Sequence, residues 1–135
     1  MRVEIARAAG FCYGVRRAVE MARQAASEGG ACAMLGPIIH NRSVIEELQA
    51  EGVALCALPE EIAPGTKVII RSHGESQAVY EALEKRRARI VDATCPNVAR
   101  IHEIVRRAGE EGRKVLVIGT PGHPEVKAIA GWCRD

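Results

Sequence analysis

The feature that most constrains the fold is an alternation. Short aliphatic runs are each followed by a turn and then by apolar residues at helical spacing. Lys67 to Arg71 (KVIIR), Arg89 to Asp92 (RIVD) and Lys114 to Ile118 (KVLVI) read as strands, the last of them as the cleanest buried strand. Arg2 to Ala8 is expected as a further strand with Val3 and Ile5 on one side, and Ala31 to Leu35 as a short one. Val53 to Leu55 adds another short strand, and Pro59 to Gly65 a loop. Between them, Val15, Ala18, Val19 and Ala22 follow the spacing of an amphipathic helix. Val44, Ile45 and Leu48 mark a second helix, stopped at Gly52, and Val79 and Leu83 a third over about Ser76 to Arg86. Pro96 suits the first position of a fourth helix, whose stripe is Val98, Ile101, Val105 and Ala108 and which ends at Gly112. A short helix is expected from about Pro124. Repeated β-α units imply an α/β fold, a parallel sheet flanked by helices. The last strand–helix unit stops short, so the chain reads as cut off.

Bulk composition excludes several classes. The chain has 135 residues, 19 basic and 17 acidic, for a formal net charge of +2. That balance argues against nucleic-acid binding, which needs a strongly basic face. No apolar run is long enough for a membrane span, and MRVEIARAAG lacks the apolar core of a signal peptide, so a cytoplasmic location is expected. Aromatics are only 3 %, and any core must be built from Ala, Val, Ile and Leu. The five cysteines are odd in number and form no C-x-x-C pair, which disfavours a disulfide framework.

Chemistry-bearing residues gather at the turns into helices. They are Gly10-Phe11-Cys12-Tyr13-Gly14, Gly36-Pro37-Ile38-Ile39-His40-Asn41, Ser72-His73-Gly74, Ala93-Thr94-Cys95-Pro96 and Gly119 to Glu125 (GTPGHPE). In an open parallel sheet such junctions share the carboxyl edge of the strands, where α/β proteins take ligands. Helix N-termini there suit phosphate, and the same field favours thiolate. Two thiolates and three imidazoles are therefore expected around an anion-receptive crevice. Taken singly, Cys12 is either a buried filler at a turn or a presented thiolate. Cys32 and Cys56 read as fillers, Cys133 as packing, and His102 as structural or partly exposed. No G-x-x-x-x-G-K-[ST], G-x-G-x-x-G or G-x-S-x-G is present, and Ser72-His73 is only a dipeptide.

Five stretches together carry a family resemblance: GFCYGVRRAVE, LGPIIHNRSVIEEL, VIIRSHG, IVDATCP and HPEVKAIAGWC. In order and spacing they resemble the N-terminal part of the LytB/IspH family, the 4-hydroxy-3-methylbut-2-enyl diphosphate reductases of the methylerythritol phosphate route to isoprenoids. The resemblance implies a trilobal fold, of which residues 1–95 would be the first α/β domain and 96–135 the beginning of the second. It implies a [4Fe-4S] cluster held by three cysteines, two of them matching Cys12 and Cys95 and the third lying beyond position 135. It assigns substrate binding to His40, His73 and His123, and proton delivery to Glu125. The implied reaction is a reductive dehydroxylation of an allylic diphosphate to isopentenyl and dimethylallyl diphosphate, with ferredoxin or flavodoxin as electron donor. Two other readings stay open. A mononuclear metal hydrolase could use His40, His73 and His123 as ligands with Glu125 as general base. A non-catalytic module could bind phosphorylated ligands at its helix N-termini, or pair with a separate chain.

Overall fold

A computed structural model describes residues 2–133. Four strands form one sheet: β1 (Cys32–Leu35), β2 (Val53–Cys56), β3 (Lys67–Ile70) and β4 (Arg89–Asp92). All neighbours are parallel, in the order β2-β1-β3-β4. Five α-helices accompany it: α1 (Tyr13–Ser27), α2 (Arg42–Ala50), α3 (Gln77–Lys85), α4 (Pro96–Glu110) and α5 (Pro124–Ala130).

Alternation along the strands divides the core in two. Cys32 and Met34 of β1 and Ile69 of β3 face α1 and α2, where Ala18, Val19, Ala22, Val44 and Leu48 are buried. Ala33, Leu35, Val68 and Ile70 face the other way, onto Leu83 of α3 and Ile62. Helices on both faces explain why β1 and β3 are buried along their whole length and read as unbroken aliphatic runs. The alanines of α1 let its backbone lie close to the sheet. Lys67, at the start of β3, is buried, and its ammonium bonds the Ala25 carbonyl near the end of α1, with Glu28 at 3.4 Å. A cation there complements the helix C-terminus.

Two expected strands are absent. Residues 2–8 and 114–118 pair with nothing among the described residues. Val3 and Ile5 are 74 % and 85 % exposed, and Leu116 and Ile118 86 % and 90 %. Aliphatic alternation makes a strand only where a ladder partner satisfies its backbone. KVLVI has the side chains of a buried strand and no neighbouring strand to bury it. As a result, only the turns after β1, β3 and β4 are true strand-to-helix junctions.

The strand order places a topological switch between β1 and β3. The chain leaves β1 for α2 on one face and leaves β3 for α3 on the other. Open α/β sheets bind ligands in the crevice such a switch creates.

Candidate functional site

The turns after β1 and β3 meet over this crevice. Gly36 leaves β1 with a φ of 68°, in the left-handed region a glycine adopts without strain, and its N–H donates to the Cys56 carbonyl at 2.8 Å. Ile38 and Ile39 are buried and pin the loop, so that His40 is exposed just before Asn41. Asn41 caps α2, its side-chain oxygen accepting the Val44 N–H at 3.2 Å.

Ser72 joins the turns. Its backbone N–H and its hydroxyl both donate to the Ile38 carbonyl, at 3.3 and 3.2 Å. Its own carbonyl accepts the Cys95 N–H at 2.9 Å. One buried serine thus ties the turns after β1, β3 and β4 together. Sequence reasoning passed over Ser72 as half of a dipeptide, since backbone ties of this kind leave no pattern in sequence.

His40, His73 and His123 converge. Their ring centroids are 5.1 Å apart for His40–His73, 5.4 Å for His73–His123 and 6.0 Å for His40–His123. One nitrogen from each lies within 4.8 Å of the others. His73 is half-buried and its Nδ1 has no partner. Burial, followed by the neighbouring His40, holds its pKa below the ordinary value, while the Glu125 carboxylate opposes that shift. His123 stands before α5, and its Nδ1 accepts the Glu125 N–H at 3.2 Å. With Nδ1 used as an acceptor, the ring proton of neutral His123 sits on Nε2, as a donor.

Cys12 and Cys95 occupy equivalent places. Each is the N-cap of a long helix, α1 and α4, and neither makes a side-chain cap bond. Cys12 is exposed and Cys95 half-buried. Arg17 of α1 donates to the Thr94 carbonyl at 3.1 Å, fixing the two helices to one another. Gly14 is bare against the second thiol: a Cβ there would lie 2.5 Å from Cys95 Sγ. A pocket of about 260 Å³ separates the Cys12 turn from the histidines, lined by Phe11, Val15, Ile39, His40, Asn41, Ser72 and His73. Cys32 and Cys56 differ from this pair. Burial raises both thiols above the ordinary value, which keeps them protonated and suits packing.

The family model described as LytB protein matches residues 3–135. The chain belongs to the LytB family. Among its relatives, the 4-hydroxy-3-methylbut-2-enyl diphosphate reductase of Geobacter sulfurreducens is 44 % identical over 134 residues, which is 99 % of this chain and 47 % of that protein. The reductase of Thermoanaerobacter sp. is 40 % identical over 139 residues, covering all of this chain and 48 % of the relative. A solved (E)-4-hydroxy-3-methyl-but-2-enyl diphosphate reductase, described as the terminal enzyme of the non-mevalonate pathway, superposes with a TM-score of 0.82 at 43 % identity. It covers 96 % of this chain and 46 % of that structure. The Plasmodium falciparum E-1-hydroxy-2-methyl-but-2-enyl-4-diphosphate reductase gives a TM-score of 0.89 at 28 % identity. The chain spans about half the length of the curated relatives it matches. Among the described residues, no helix of this LytB-family chain is long and apolar enough to cross a membrane.

Proposed function

We propose that this chain forms the diphosphate-binding part, and two of the three cluster-ligating positions, of a 4-hydroxy-3-methylbut-2-enyl diphosphate reductase. In this reading residues 1–95 are its first α/β domain and residues 96–135 open the second. The observation that carries the proposal is the convergence of three imidazoles with the tautomer of one of them fixed. His123 offers an Nε2–H because its Nδ1 accepts the Glu125 amide. Donors converging beside helix N-termini suit the oxygens of a diphosphate.

The same bond disfavours the mononuclear metal hydrolase. A histidine that ligates metal donates its remaining ring N–H to an acceptor behind it. His123 accepts at that place, which leaves a proton on the nitrogen that would have to ligate.

The residues present fit an iron–sulfur cluster at two of its ligands. Cys12 and Cys95 cap two helices with sulfurs that make no cap bond, and the bare Gly14 lets the Cys95 sulfur lie against α1 where a Cβ would clash. A third thiolate would come from the part of the relatives that this chain does not span. When bound, such a cluster would pass on, one at a time, the two electrons a low-potential carrier supplies, and would offer Lewis-acid chemistry. The protein's own residues hold the rest. His40, His73 and His123 orient the diphosphate, and Phe11, Val15 and Ile39 wall the hydrocarbon side of the pocket from water. Glu125 would relay the proton that leaves with the hydroxyl oxygen, and solvent supplies the second proton, which forms the new C–H bond. A low-potential one-electron carrier such as ferredoxin or flavodoxin completes the reaction, and a reducing, cytoplasmic setting suits the free thiols.

Calorimetry with inorganic pyrophosphate tests the anion site. Binding by the wild type that is weakened, though still measurable, in His73→Ala and in His123→Ala supports it. Zinc bound one-to-one by the same residues, with no pyrophosphate binding, would sink it and restore the hydrolase reading.

A further inference from the structure

α5 brings His123 to the site, yet little on its own surface holds it there. It is seven residues long and buries only Ala128. The segment before it pairs with no strand among the described residues.

Its far end is anchored to the turn that carries His73. Trp132 follows α5, and its indole N–H donates to the Glu75 carbonyl at 2.9 Å. The indole stacks on His102 of α4, with ring centroids 5.6 Å apart and planes 21° from parallel, and lies 5.9 Å from the ring of Tyr80. His102 is 5 % exposed, and its Nε2 is buried without a partner. Its Cε1 fills the space where a side chain on Gly74 would go, and Gly74 directly follows His73 with a φ of +71°. The Gly131 carbonyl accepts the Gln77 N–H at 3.4 Å, and a Cβ on Gly131 would overlap Ser76.

We propose that Trp132 and His102 are positioning residues that seat the His73–Glu75 turn and set where His123 meets His73. α5 is thereby held at both ends to one turn, His123 at its start and Trp132 beyond its finish. Neither the imidazole nor the indole lines the pocket beside His40 and His73, and both act through Gly74 and Glu75. This rests on the diphosphate reading for its functional consequence, while the geometry of the latch stands on the contacts alone.

The test compares the chain with Trp132→Phe, which keeps a stacking ring and removes the donor, in wild-type and His73→Ala backgrounds. Amide hydrogen exchange is followed by residue, and pyrophosphate binding by calorimetry. Losing one neutral hydrogen bond should speed exchange at residues 73–76 and at His123 and Glu125 by roughly three- to tenfold, with β1 and β3 unchanged. Pyrophosphate affinity should fall by a similar factor, and the variant should cost nothing further once His73 is gone. Unchanged exchange at 73–76, or an equal affinity loss in both backgrounds, overturns the positioning role. If the wild type fails to bind pyrophosphate, the diphosphate reading fails and the exchange pattern alone decides the latch.

Discussion

Cys12 and Cys95 stand where a helix ordinarily takes a hydrogen bond from a serine, threonine or aspartate oxygen, and sulfur is a poor substitute. The chain forgoes two caps to keep two thiols. Cys12→Ser should therefore raise stability in urea by about 0.5–1 kcal/mol while abolishing iron uptake on anaerobic reconstitution. A loss of stability with iron uptake retained would mean that the thiol serves packing. Gly14→Ala is expected to lower stability, costing about 1–3 kcal/mol because its Cβ must displace the Cys95 side chain. The buried imidazoles make stability depend on pH. Burial holds both His73 and His102 below the ordinary histidine value of 6.5. As pH falls through that value the unfolded chain takes up protons that the folded chain refuses. Stability is thus full above the ordinary range and declines below it, until the folded chain also protonates. Melting at about pH 5.5 should come earlier than at about pH 7.5, and His102→Phe should flatten the difference. At this scale the sequence was informative for residues whose chemistry is conspicuous, the junction histidines above all. Ser72 and Trp132 escaped notice because their roles are bonds to distant backbone atoms, which residue type alone does not announce.

The helices were legible because their periodicity is local. Ala18, Val19, Ala22 and Leu48 fall on the buried faces that their spacing required, whereas in α4 Ile101 of the expected stripe is exposed and His102 is buried instead. The strands were legible only where the fold supplied a partner. KVIIR became β3, in the middle of the sheet, whereas KVLVI, with equal β-propensity, remains an exposed segment. The difference lies in what stands beside each run, which no window of sequence contains. Element boundaries also depend on caps. Asn41→Ala, which removes the acceptor for the Val44 N–H, should destabilise α2 by about 1 kcal/mol and loosen the turn bearing His40. Circular dichroism melts measure the first effect, and exchange rates at residues 38–44 the second.

Across the whole molecule, the sheet accounts for the site and the unpaired segments account for the liabilities. Leu116 and Ile118 present apolar side chains next to backbone that makes no ladder bonds. Such a segment is a template for pairing with another chain. Sedimentation should show concentration-dependent association of the isolated chain, suppressed by Leu116→Lys with Ile118→Lys, while the melting free energy stays within about 0.5 kcal/mol. The order β2-β1-β3-β4 has a kinetic consequence as well. Every ladder in it is parallel, so each pairing waits for a whole crossover to close, and no hairpin can form early as a seed. Folding is then expected on the order of milliseconds to seconds rather than microseconds. His40, His73 and His123 can meet only after β1 and β3 have found each other, so the crevice belongs to the end of that search. A small anion that recognises the crevice would leave the rate of folding alone and slow unfolding, acting as a brake on loss of the native sheet.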